Sequence, residues 1–486
     1  MPPADSSETH RNVGVRDRTV RFVVWVALLG GCGLALVRVV LTLPLHVPLN
    51  YNEGWNAYHT ADVVAGQPLY AAGRPYFFNN YPPLSFLAVA AATRIVPDAI
   101  VAGRWLALIS FGVWTIVLIE AAVAFGCRRA HACFGALLFA ATILVFTDYV
   151  GIDDPQMMGH AIASVGLVAL LRAASGRAAL VVAAVMFVLA VFVKQNLVVL
   201  PIACVLWLAC VDRRRAWFLA AAIVVAGAAT VGISVAAFGT PVIESMMLPR
   251  VFLPLKGAWM AVQWLLRAVV LIFFEVLLFR KHSRDSAVIF VTIYVGVAAV
   301  IGAVLGAGAG VNWNVFFDAD WALCLGAAVA LERAGGRPAL GALRSSTGIM
   351  AGCAIVPVIA ALAAFKPDHA AKDYWLNPRA AETADAAEQI AFLSAEGGPA
   401  ICEELALCFW SGKPVEVDVF NAGQQILLGR VDQQPLIAAI DRGRFAAIQM
   451  NMPSRDISPA IADSILRRYF IDHAAFNRVF LVPRPR

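Results

Sequence analysis

Glu53, Asp153-Asp154, Lys194, Arg250 and Lys256 stand in polar stretches between long apolar runs. Carboxylates in such places suit proton transfer or cation binding, and the lysines and arginine suit holding an anion. The stretch around Glu53 is the richest: Tyr51-Asn52-Glu53-Gly54-Trp55-Asn56-Ala57-Tyr58-His59, then Gly66-Gln67-Pro68-Leu69-Tyr70, then Phe77-Phe78-Asn79-Asn80-Tyr81-Pro82-Pro83-Leu84. Asn52, Tyr58, Asn80 and Tyr81 from this stretch, Asp153, Gln195 beside Lys194, and Asn312 of Asn312-Trp313-Asn314 are candidate cavity or substrate contacts. Plainer readings compete. Asp then Pro155 is a good helix start. Lys194 can snorkel from a helix end, and Asn312 can cap a helix. His59 and His160 have no partner at ligand spacing. The chain carries no phosphate-binding glycine loop, dinucleotide fingerprint or serine-hydrolase elbow.

The elements that position these residues are membrane helices. Of 486 residues, 60% are hydrophobic and 14% charged, and the mean hydropathy is +0.75. Soluble domains carry about 45–50% apolar and about 25% charged residues, so a soluble globular chain is excluded, as is a disordered one. The net charge of +6 sits in short clusters between apolar runs. That is a topology signal and not a nucleic-acid face. Apolar runs near the ~20 residues a span requires lie at 22–43, 99–126, 132–150, 157–171, 216–238, 259–279, 286–308, 315–332 and 345–365. The stretch 178–211 carries Lys194-Gln195-Asn196 at its middle and fits two short helices meeting at a polar apex, because a lysine at mid-membrane is costly. The total is eleven spans. Residues 81–96 are too short to count.

Seventeen Lys and Arg, among them Arg213-Arg214-Arg215, Arg333, Arg337 and Arg344, fall at one set of span ends, against six at the other. The positive-inside rule then places the N-terminal tail (1–21) in the cytoplasm, and eleven spans leave the C-terminal part outside. The first apolar run lacks a small-residue cleavage site and reads as a retained anchor. The long first outer loop (44–98) is aromatic-rich, and loops of that length without a function are uncommon. Hydropathy drops at Lys366. Residues 366–486 mix apolar runs (445–450, 479–482) with amphipathic patterns (381–394, 457–470) and read as a small soluble α/β domain. Cys402 and Cys408 lie there, and a disulfide between them requires a turn, since six residues of helix set them too far apart.

An acidic residue just after the first span, a stretch ending in Gly-X-Pro-Leu-Tyr, a Tyr-Pro-Pro-Leu segment, an Asp-Pro in the second outer loop, a Lys-Gln apex and an outer domain after the last span occur here in order. Together they resemble the GT-C class of membrane glycosyltransferases, in the branch related to protein O-mannosyltransferases and the lipid A aminoarabinose transferase. The resemblance implies a GT-C-like transmembrane catalytic domain (22–365) in a bacterial inner membrane. It also implies transfer of a hexosyl or pentosyl group from a polyprenyl-phosphate donor to a glycan, lipid or protein acceptor on the outer face. By position Glu53 would be the general base and Asp154 a second functional acid, with Lys194, Arg250 and Lys256 neutralising the donor phosphate. The class usually pairs acids in the first loop, whereas this chain has Asn52-Glu53. A divalent cation (Mg or Mn) would then draw on Glu53 with Asp153 or Asp154. A flippase of lipid-linked sugars, or a non-catalytic relative, is the alternative.

Overall fold

Long apolar runs bounded by capping residues dictate most of the architecture. The computed structural model describes residues 6–70, 73–172, 176–334, 345–452, 454, 457–475 and 478–485; Arg337 and Arg344 of the basic cluster lie outside them. Among these residues eight helices are long and apolar enough to cross a membrane: Asp17–Thr42, Ala99–Ala124, Arg129–Phe146, Arg213–Phe238, Pro254–His282, Ser286–Gly306, Trp313–Ala334 and Ser346–Ala364. Asp98, Asp212 and Asp285 cap three of them, each side chain accepting from backbone N–H groups of the first turn, which satisfies donors a helix start leaves orphaned. The chain is a multi-pass membrane protein.

Three shorter apolar helices, Gln156–Arg172, Arg177–Val193 and Val199–Val211, complete the bundle. Their 17, 17 and 13 residues span about 26, 26 and 20 Å, short of a ~30 Å core. All eleven expected apolar segments are therefore helical, but these three do not reach across by length alone. The shortfall sets polar groups at their ends: Asp153-Asp154 precede the first, and Lys194-Gln195-Asn196 separate the other two. Residues 81–96 fold around the short helix Leu84–Ala92. The Trp313–Ala334 helix runs through the middle of the bundle, with its whole apolar window buried by neighbours.

The first loop folds back on the bundle as the helix Tyr51–Val64, capped by Asn50, whose side chain accepts from the Asn52 N–H. The C-terminal part sits on it. Its sheet has strands β1 (Ala400–Cys402), β2 (Ala447–Asn451), β3 (Tyr469–Ala475) and β4 (Arg478–Pro483) in the order β1-β2-β4-β3. The β1–β2 pair is parallel and the other two pairs are antiparallel. The amphipathic pattern at 381–394 becomes the helix Ala380–Ala395. The pattern at 457–470 does not stay helical throughout: the helix runs Pro459–Arg468, and Tyr469 and Phe470 join β3 opposite Pro483 and Val482. Strand pairing outweighs local periodicity there. Cys402 and Cys408 form a disulfide across the turn between β1 and the helix Leu405–Trp410.

Docking between the two parts is close. Val417 forms a parallel bridge with Tyr76 of the first loop, Trp410 stacks on His46 and donates to Asp98, and Gly54 lies against the backbone of Leu405 and Ala406.

Candidate active site

Glu53, in the first turn of the first-loop helix, is completely buried against Arg104 of the Ala99–Ala124 helix. Arg104 donates Nε to Glu53 Oε1 (2.7 Å) and Nη2 to Oε2 (2.8 Å), and gives its remaining donors to the carbonyls of Leu43, Leu45 and Val47. Glu53 Oε2 also accepts from the Leu49 N–H (2.9 Å) and Oε1 from the Asp153 N–H (3.2 Å). Fork-to-fork pairing of this kind is the strong form of the ion pair. It fastens the first span's exit, the first-loop helix and the Asp153-Asp154 turn to one point. Neither Glu53 oxygen faces solvent, and each serves two donors in this structure; the Asp154 oxygens are engaged in the same way.

A second buried charge pair lies beside this lock. Lys194 Nζ donates to both Asp154 oxygens (2.7 and 3.1 Å), and Asn52 Nδ2 reaches Asp154 Oδ2 (3.2 Å). Lys194 Nζ lies 5.1 Å from the centre of the Tyr81 ring, a cation–π distance. Asp154 Oδ1 also accepts from the Gln156 N–H, so one oxygen caps the following helix while the other faces Asn52. Asp153 points elsewhere, against Gly103, where a Cβ would collide with its carboxylate. Burial and the Glu53 and Asp154 carboxylates push the Asp153 carboxyl well above the usual range.

Gln195 Nε2 donates to the Asn80 carbonyl (2.6 Å), and Asn80 Nδ2 reaches Asn421 Oδ1 (3.3 Å). Asn421 belongs to the helix Val419–Leu427 of the C-terminal part and donates to its cap Asp418. Asp418 in turn accepts from Tyr51 Oη (2.9 Å). Burial raises the Asp418 carboxyl to about 6. Arg250 flanks this group with its guanidinium 5.7 Å from the Phe420 ring centre. Asn52, Asn80, Tyr81, Asp154, Lys194, Gln195 and Arg250 are thus gathered at one end of the bundle.

Three expected contacts stand apart. Lys256 Nζ is spent on the Gly308 and Val311 carbonyls (2.8 and 2.7 Å). Tyr58 donates to the Lys413 carbonyl and holds the C-terminal part. Asn312 is exposed and caps Trp313. Its neighbour Asn314 turns inward to Gln156 Oε1 (2.9 Å), and Gln156 contacts His160, which lies 3.7 Å from Asp318. The sequence reading missed Arg104 as Glu53's partner, and Asp418 and Asn421 altogether. For Arg104 a signal existed, since a lone arginine inside an apolar run requires a counter-charge.

No group of three or more His, Cys, Asp or Glu among the described residues is arranged to hold a metal ion. The donor set agrees: the oxygens of Glu53 and Asp154 already face N–H donors and cations. These residues do not fit the Mg or Mn expected from the sequence, and no step below runs through one.

A polytopic bundle with a long folded first loop, polar apices at one end and a small mixed sheet seated on that end defines a membrane protein of the GT-C fold. Two crystal structures of ArnT from Cupriavidus metallidurans have it. The one bound to undecaprenyl phosphate superposes with a TM-score of 0.61 at 15% identity, covering 94% of this chain and 97% of that one. The apo form gives 0.57 at 13% identity, covering 97% and 98%. No family model matches the chain, and no curated protein sequence does.

Proposed function

We propose that the chain is a glycosyltransferase that takes a sugar from a polyprenyl-phosphate donor and passes it to an acceptor hydroxyl. The buried Lys194–Asp154 pair carries the reading, and the fold shared with a protein crystallised with undecaprenyl phosphate supports it. The donor phosphate takes Lys194, with Arg250 adding positive field from the side. Losing Lys194 frees Asp154, whose Oδ2 otherwise accepts from Lys194 and Asn52. Asp154 then accepts the proton of the acceptor hydroxyl as its oxygen attacks the anomeric carbon. The bond from that carbon to the phosphate oxygen breaks, the electron pair stays on that oxygen, and the polyprenyl phosphate leaves with its charge offset by the Lys194 ammonium. One displacement inverts the anomeric centre. Asn52 orients Asp154 in this scheme, and Glu53 with Arg104 positions the Asp153-Asp154 turn.

The Lys/Arg bias of seventeen to six and the Cys402–Cys408 disulfide support a bacterial inner membrane with the N-terminus cytoplasmic and the C-terminal part periplasmic, since disulfides persist in oxidising compartments. The test uses purified protein with radiolabelled undecaprenyl-phosphate sugars, scoring label leaving the donor. Wild type turns over at least one donor, Asp154→Asn binds it without turnover, and Lys194→Ala loses donor affinity. Full turnover by Asp154→Asn defeats the assignment.

A further inference from the structure

The C-terminal part contributes a working wall to the site. We infer that Asn80 and Gln195 of the membrane part, closed over by Asn421 of the Val419–Leu427 helix, form the subsite that reads the hydroxyl groups of the donor's sugar; this rests on the polyprenyl-phosphate reading above.

Position comes first. A sugar bonded directly to a phosphate on Lys194 lies within a residue's reach of Lys194. Gln195 is the next residue, and its hydrogen bond to the Asn80 carbonyl seats Asn80 beside it. Tyr81, next after Asn80, lies under the Lys194 ammonium. Asn421 reaches Asn80 from the other side, so the three amides line one short strip next to the phosphate position.

Unmet hydrogen bonding comes second. Asn80 is only 6% exposed, yet its Oδ1 has no hydrogen-bond partner among the described residues, and neither does the buried Gln195 Oε1. Leaving a buried amide oxygen without a donor is costly, and a ligand hydroxyl can supply that donor. Two unpartnered amide oxygens, on residues tied together by the Gln195–Asn80 hydrogen bond, suit sugar hydroxyls, which can donate to them; Asn421 Oδ1 accepts from Asn80 Nδ2 and so fixes how the Asn80 amide is turned. A bare phosphate, which offers acceptors, does not satisfy them.

The Asn421-bearing helix is held to a fixed seat. Its Phe420 ring lies against Gly310, where a Cβ would sit 2.3 Å from Cζ. The same ring meets Tyr51 edge-on at 5.4 Å. Gln424 Oε1 accepts from the Val251 N–H (3.1 Å), and Gln425 Nε2 donates to the Pro249 carbonyl (2.9 Å). A rigid element is what a selective polar contact requires.

The experiment measures binding of the full-length detergent-purified protein to undecaprenyl phosphate and to a panel of its glucosyl, mannosyl, galactosyl and arabinosyl forms. Wild type binds at least one sugar form about tenfold or more tighter than undecaprenyl phosphate itself, as one amide–hydroxyl pair warrants. Asn421→Ala and Asn80→Ala, made on opposite sides of the strip, each erase that preference and leave the affinity for undecaprenyl phosphate within twofold. That unchanged affinity certifies the fold, and Asn80→Ala decides alone if Asn421→Ala does not fold. A wild type without preference for any sugar form, or variants that keep it, overturns the subsite. Failure of wild type to bind undecaprenyl phosphate at all overturns the donor reading instead.

Discussion

Glu53 and Arg104 form a wholly buried ion pair. Replacing Glu53 with Gln keeps the volume but leaves the Arg104 guanidinium, buried at 0% exposure, without a counter-charge. Breaking one side of a buried pair costs about 3–5 kcal/mol. Glu53→Gln should therefore lower the unfolding midpoint in detergent markedly and reduce turnover through it. A variant as stable as wild type but catalytically dead would restore Glu53 to the base's role. His59 gives a pH prediction. Its ring stacks on Phe77 at 4.4 Å and contacts Trp55 and Phe86. Asp62 stands 3.9 Å away. Burial, helped by Arg74, lowers its pKa to about 3, so the folded state keeps it neutral while the unfolded chain protonates it below about 6.5. The unfolded state then binds more protons between pH 6.5 and 3, and stability falls as pH drops through that window. His59→Phe, which fits the same aromatic nest, should flatten that fall in thermal scans from pH 7 to pH 4.5. An equally steep fall in the variant counts against this account.

At the scale of elements, the seam between the first-loop helix and the helix Leu405–Trp410 has no room to spare. A Cβ on Gly54 would lie 2.0 Å from the Ala406 nitrogen and 2.3 Å from the Leu405 carbonyl carbon. Backbone cannot swing away as a side-chain tip can. Gly54→Ala should cost about 1–3 kcal/mol, typical of forced overpacking, and should expose the C-terminal part to limited proteolysis. An unchanged digestion pattern would mean that the seam is looser than described. Elements of this kind divide into those the sequence reveals and those it hides. The apolar helices were legible because hydropathy and length are local properties. The apex at Lys194 was legible because charge inside an apolar run forces a break. The seam, the Glu53–Arg104 lock and the roof at Asn421 join residues from 51 to 352 positions apart; Arg104 asked for a counter-charge but did not name it, and the others left no periodicity or spacing to find. Asp154 and Lys194 could each be singled out, yet nothing local said that they face one another. The end of the Pro459–Arg468 helix was misjudged for a related reason, since the partner that claims Tyr469 is Pro483, in the last strand.

For the molecule as a whole, the site is a joint product of two parts that differ sharply in composition. The membrane part supplies the charges and the amides of Asn80 and Gln195, and the C-terminal part adds Asn421 against them. On the proposed subsite, substitution of Asn421 should change which sugar is preferred while leaving the Lys194–Asp154 pair in place. The central helix has a consequence of another kind. The apolar window of Trp313–Ala334 is wholly buried, its α-helical part from Phe317 carries Asp318 and Asp320 in its first turn, and at 1.4 it has the lowest mean hydropathy of the eight long helices among the described residues. A segment so compromised gains little from lipid and much from partners such as Trp264, Arg267 and Tyr294, which meet its two carboxylates. During biosynthesis it is therefore poorly equipped to leave the translocation channel alone. The helices bearing those three residues precede it in the chain, so the order of synthesis delivers the receiving cradle before the segment that requires it.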